Sequence, residues 1–107
     1  MYKRQPGERP QPLLYGYRAR KLGEMLRDEL LLRTWADSPV RLEFSNPRTT
    51  TCRIELHTPT ATLSEEVPAG ARLVLEVPVP ADIPAWVTID YATAPGAEGN
   101  LRIRLVP

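Results

Sequence analysis

The stretch from Val40 to Leu105 constrains the fold most, because apolar and polar residues alternate along it with a period of two. The alternation is visible in VRLEFS, CRIELH, RLVLEV, AWVTIDY and LRIRLV. Successive side chains of a β-strand point to opposite faces, so this pattern predicts strands with one buried face each. The sequence therefore favours a mainly β domain.

Turn residues separate these segments at regular intervals. Examples are Asn46-Pro47, Thr58-Pro59 and the run from Val67 to Gly70. A weaker strand is predicted over residues 60–66, and the apolar strand from Leu73 to Val79 is expected to be central and covered on both sides. Regular spacing with Pro, Gly and Asn turns is typical of an antiparallel β-sandwich, here of about six to seven strands.

The segment from residue 17 to 37 permits two interpretations. Leu22, Leu26 and Leu30 recur at intervals of four, which predicts one short helix over residues 19–32. Gly23 disfavours a helix interior, and the end of the segment could equally be a first strand. Either element is expected to pack on the sheet, ahead of a sandwich domain over residues 38–107.

Residues 1–16 are predicted to form an extended, basic arm. Pro6, Pro10 and Pro12 favour extended or polyproline II backbone. Residues 1–33 hold eight basic and four acidic residues, whereas residues 34–107 hold six basic and nine acidic ones. A basic first third on a mildly acidic body suggests self-docking or head-to-tail contact between copies. The alternatives are a frayed terminus for the arm, and a chance imbalance with every charge solvated for the charge distribution.

One part of the chain resembles a known group of domains. The segment VRLEFSNPRTTTCRIEL, followed by VPAG and a strand ending in VPVP, resembles bacterial and phage immunoglobulin-like or fibronectin-type sandwich modules over residues 38–107. The resemblance implies a binding, spacing or assembly module and carries over no catalytic residue. The paired cysteines and core tryptophan of antibody domains are absent, since Cys52 is alone and Trp86 is predicted to point outward.

Residues suited to catalysis or cofactor binding are scarce. His57 is the single histidine and Cys52 the single cysteine, and they lie on opposite faces of one predicted strand, so they cannot share a zinc ion. No nucleophile elbow or glycine-rich phosphate loop is present. We therefore expect no enzymatic activity, no cofactor and no metal.

Partners are expected to be proteins, through self-assembly or docking on a larger assembly such as a virion, as a capsid-decorating or tail protein. The predicted contact residues are Tyr2, Arg4, Arg9, Leu13, Leu14, Tyr15, Tyr17, Trp35 and Trp86. The near-neutral net charge argues against nucleic acid. A carbohydrate-binding module using Trp86, or an accessory domain of an enzyme complex, is the alternative.

The sequence also carries an expectation about location. No signal peptide and no apolar run long enough to cross a membrane is visible. We expect synthesis in the cytoplasm and no membrane partner.

Overall fold

A computed structural model describes residues 12–35, 39–93 and 100–106, which form eight strands. The strands are β1 (Leu13–Leu22), β2 (Met25–Arg33), β3 (Val40–Ser45), β4 (Cys52–His57), β5 (Thr62–Val67), β6 (Arg72–Val77), β7 (Ala85–Ala92) and β8 (Arg102–Val106). They build two antiparallel sheets, one of five strands in the order β1-β2-β7-β4-β5 and one of three in the order β6-β3-β8. The mainly β prediction is confirmed.

A single hydrophobic core lies between the two sheets. Its fully buried side chains come from both of them and include Leu32, Phe44, Leu56 and Ile89. In β3 and β4 every second residue is buried, so the predicted alternation is confirmed there. Among the described residues, no helix is long and apolar enough to cross a membrane.

The predicted helix over residues 19–32 is wrong, and the strand alternative is the one that the chain adopts. β1 and β2 form a hairpin whose register runs from Leu13 opposite Arg33 to Leu22 opposite Met25. Gly23 takes a positive φ of 65° at the first central position of the two-residue turn, while Glu24 keeps a negative φ. That combination is a type II′ turn, which suits a hairpin. The leucine spacing of four residues did not distinguish a helix from a strand, because four is a multiple of two and residues four apart also share one face of a strand.

The expectation of a central, doubly covered strand near Leu73 is also wrong. β6 is an edge strand that pairs with β3 alone among the described strands. Val74 lies on its outer face and is 50% exposed. The run of apolar residues in β6 therefore reflects β-propensity at an edge, not burial on two faces.

Asn46 joins the ends of the two sheets. Its side-chain amide donates to the carbonyls of Thr50, Val67 and Pro68 at 3.0, 2.9 and 3.2 Å, and its Oδ1 accepts from the backbone N–H of Arg48 at 2.9 Å. Asn46 follows β3, whereas Val67 ends β5 in the other sheet. The predicted Asn-Pro turn is thus also a buried clamp between the sheets.

Part of the predicted arm belongs to the sheet, because β1 begins at Leu13. The rest of the predicted arm, residues 1–11, lies outside the described residues, as do residues 36–38, 94–99 and 107.

Candidate protein-binding edge

Of the nine large apolar side chains that are exposed among the described residues, six lie at one end of the five-stranded sheet, whereas Leu22 and Met25 lie at the opposite end of the β1–β2 hairpin. At the first of these two ends β1 begins, β2 ends and β7 begins, since Leu13 lies opposite Arg33 and Leu31 lies opposite Trp86. We call this surface the apolar end and define it by its exposed members: Leu13, Leu14, Tyr15, Tyr17, Ile83 and Trp86. Grouped exposed apolar side chains mark interaction sites more often than single exposed residues do.

β1 is an edge strand. Nine of its ten residues pair with β2 on one side, and no strand within the described part of the chain pairs with the other side. The register shifts between Leu14 and Gly16, so Tyr15 is the extra residue of a β-bulge. A free edge presents unpaired N–H and C=O groups, which another extended segment can bind.

The three-stranded sheet leaves β1 uncovered. No residue of β1 is buried, and Tyr17, which shares the inward face with its neighbour Leu30, is still 57% exposed. Leu30 is fully packed in the core one strand further in. The inner face of the sheet therefore ends in solvent at β1.

Beyond the apolar end, β1 becomes basic. Arg18 and Arg20 both reach Glu29 on β2, with Nε–Oε distances of 3.1 and 2.9 Å. The hydrogen bonds from Arg18, followed in size of effect by those from Arg20, hold the pKa of the Glu29 carboxyl below its usual value. Two guanidinium groups share one carboxylate, so this part of β1 keeps a positive charge, to which Lys21 adds another.

Trp86 lies beside this cluster. The guanidinium of Arg18 lies over its indole ring, 5.7 Å from the centroid, at a distance typical of a cation–π contact. Trp86 is 47% exposed and points outward as predicted. The outer face of the sheet is therefore already partly covered by Arg18 at the position where a sugar ring would stack.

A second ionic group lies further along the same outer face. Arg27 binds Asp90 through two hydrogen bonds, Nε to Oδ1 at 2.8 Å and Nη2 to Oδ2 at 3.0 Å. His57 Nε2 lies 3.4 Å from Glu55 and 3.8 Å from Asp90. Each carboxylate has a cationic or imidazole neighbour, so the group is suited to holding strands together.

The inward face carries one buried acid. Asp28 is 4% exposed and accepts hydrogen bonds from the hydroxyls of Tyr17 at 3.1 Å and Tyr91 at 3.4 Å. Burial raises the pKa of Asp28, and burial together with the Asp28 charge raises the pKa of both tyrosines. Asp28 is not among the residues predicted from the sequence, because its inward position is evident only once β2 is known to be a strand.

Cys52 lies on the inward face, as predicted, and is buried. Burial raises the pKa of its thiol, against the effect of the nearby Arg48 charge, and so disfavours the reactive thiolate. In the part of the chain that the structure describes, no three His, Cys, Asp or Glu side chains are grouped so that they could hold a metal ion.

The structure brings most of the predicted contact residues together. Leu13, Leu14, Tyr15 and Tyr17 lie on β1. Trp35 follows β2 at the same end, half-buried, with the guanidinium of Arg33 at 5.8 Å from its ring centroid. The remaining three, Tyr2, Arg4 and Arg9, lie outside the described residues. Ile83 was not predicted, because an isolated isoleucine in a loop gives no periodic signal.

Comparison of the chain with protein-family models, with curated proteins and with solved structures finds no match. The fold and the edge define the class to which the chain can be assigned. It is an all-β domain of two antiparallel sheets around one core, with an exposed apolar end on an edge strand.

Proposed function

We propose that this protein is a non-catalytic assembly module that makes protein–protein contacts through the free edge of β1. The observation that carries the proposal is the convergence of the apolar end with a strand edge that no described strand pairs with. Backbone groups of the edge would supply hydrogen bonds, and the exposed aromatic and leucine side chains would be buried on contact.

The expected partner is a protein segment in extended conformation that carries acidic side chains. Arg18, Arg20 and Lys21 follow the apolar end along β1, and Glu29 neutralises only one of these three charges. Complementary charge on the partner would guide its approach and fix its register. A virion, with this chain as a capsid-decorating or tail component, is one assembly that such a module would serve.

The immunoglobulin-like resemblance is part of the same proposal. In that architecture strands B and E pair in one sheet, while C and F pair in the other. Here β3 pairs with β6, and β4 pairs with β7 and with β5. If β3 and β6 correspond to strands B and E, and β4 and β7 to C and F, the flanking strands differ from that architecture. The last strand, β8, lies beside β3 in the place of strand A, and β2 lies beside β7 in the place of strand G. Backbone NOEs that lack the β2–β7 and β3–β8 contacts would contradict this assignment.

Carbohydrate binding through Trp86 is less well supported. A sugar ring stacked on the face of the indole that Arg18 occupies would have to displace the guanidinium. The accessory-domain alternative is a special case of protein binding, and identification of the partner would distinguish it from self-assembly.

Site-specific photo-crosslinking in the cell that produces the protein tests the proposed function. A photoreactive phenylalanine analogue replaces Tyr15 on β1 in one variant and Val74 on β6 in the control. The two positions are matched in exposure, at 52% and 50%. We expect products from position 15 alone, attached to a segment rich in acidic residues. No product at position 15, or the same products from both positions, would contradict the proposal.

A further inference from the structure

The five-stranded sheet has a second free edge, and its charge is opposite to that of β1. β5 pairs with β4 on one side, and no other described strand pairs with it. Its exposed residues include the adjacent acids Glu65 and Glu66. One sheet therefore ends in a basic edge on β1 and an acidic edge on β5.

The charges also occupy matching faces. Lys21 lies opposite Leu26, and Glu65 lies opposite the fully buried Ile54, so both point to the inward side of the sheet. Inward-pointing charges at strand edges oppose edge-to-edge pairing in natural sheets. Here the inward charges on the two edges have opposite signs. Pairing of two β1 edges or of two β5 edges is therefore opposed, whereas pairing of β1 with β5 is not.

We propose that the free edge of β1 binds the free edge of β5 in a second copy of this chain, so that the five-stranded sheet continues from copy to copy. This inference rests on the proposed function and names its partner. The joint uses different surfaces on the two copies, which makes it heterologous and able to extend in one direction.

Strand direction fixes the kind of pairing. Every neighbouring pair in the sheet is antiparallel, so β1 and β5, the first and fifth strands, run the same way. When neighbouring copies keep the same orientation, β1 of one copy and β5 of the next form a parallel pair. Each copy then adds five strands that lie ~4.8 Å apart, so the copies repeat every ~24 Å. In the register that places Lys21 opposite Glu65, Ala19 lies opposite Leu63. The small side chain of Ala19 leaves room for the partly buried side chain of Leu63.

A charge-swap series on the full chain tests this pairing by sedimentation velocity over a range of protein concentrations. The variants are Lys21→Glu, Glu65→Lys and the double variant with both changes. Each single change puts like charges opposite each other and is expected to weaken association roughly tenfold. The double variant restores opposite charges and is expected to associate like the wild type.

Two controls accompany the series. Arg72→Glu reverses an exposed charge on β6, in the other sheet, and is expected to leave association unchanged. Thermal melting of each variant shows whether the fold is intact. Association of the wild type should also weaken at about 0.5 M salt, where exposed charges are screened within a few ångströms.

Several results would overturn the inference. They are a wild type that stays monomeric at all concentrations, an unchanged association of Glu65→Lys, or a double variant no better than the single ones. The second result would show that β5 is not the strand that β1 binds. None of these contradicts the proposed function, which fails only if position 15 gives no specific crosslink to any protein.

Discussion

Replacing Asn46 by Ala should destabilise the domain strongly, although the residue lies in a turn. Asn46 is 2% exposed, and its side chain makes one hydrogen bond as acceptor and shares two amide hydrogens among three carbonyls. Three hydrogen bonds at about 1 kcal/mol each give a loss of about 3 kcal/mol in the free energy of unfolding. Ordered water entering the site would reduce this loss, whereas dry, unpaired carbonyls would increase it.

The assay is urea unfolding followed by circular dichroism, with thermal melting beside it. A loss of about 3 kcal/mol corresponds to a fall in Tm of roughly 10–20 °C for a domain of this size. It is also a large fraction of the roughly 5–15 kcal/mol that stabilises a typical domain.

Asn46→Asp separates hydrogen bonding from shape. The aspartate has almost the same volume and keeps an acceptor for the backbone N–H of Arg48, but it cannot donate to the carbonyls of Thr50, Val67 and Pro68. We expect it to be at least as destabilising as alanine. The clamp interpretation is refuted if alanine costs less than about 1 kcal/mol, or if aspartate is as stable as the wild type.

Two further predictions concern β1 and β2. Burial raises the pKa of Asp28, so between the usual Asp pKa and the raised pKa the folded state holds a proton that the unfolded state releases. The stability that this bound proton contributes falls as the pH rises from the usual Asp range through the raised pKa. The free energy of unfolding of the wild type minus that of Asp28→Asn should therefore decline over that window in urea titrations, and a difference independent of pH would contradict it. Gly23→Ala should cost about 1–2 kcal/mol, because φ is positive there while a Cβ would meet no atom within 4 Å. In the control Gly16→Ala, the Cβ would lie 3.7 Å from that of Leu31 in ordinary contact, so Tm should stay near that of the wild type; equal losses in the two variants would show that backbone strain is not the cause.

Period-two alternation predicted the later strands well because each has one face on the core. In β3 the buried residues Val40, Leu42 and Phe44 are those that the pattern places inward. β1 lacks such a pattern, since neither of its faces is covered. A strand without burial leaves no periodic trace in the sequence, so its position had to come from the structure.

The residues proposed for partner contact were identified individually from the sequence, but their arrangement was not predicted. Leu13 and Trp86 are far apart in sequence, and only the strand order β1-β2-β7 brings them to the same end of the sheet. Strand order depends on pairing between distant segments, which local composition does not encode. The acidic edge on β5 was missed for the same reason, because Glu65 and Glu66 gain significance only once β5 is known to be an edge strand.

Because no residue of β1 is buried, the domain has two levels of stability. Detaching β1 from β2 would break the backbone ladder of the hairpin and the contacts of Arg18 and Arg20 with Glu29, and it would release the hydroxyl of Tyr17 from Asp28. It would remove no side chain from the hydrophobic core. β1 can therefore open at a lower free energy than the domain unfolds, and β2 would then offer its own edge to an incoming strand. An edge strand held in this way is exchangeable while the rest of the fold stays intact.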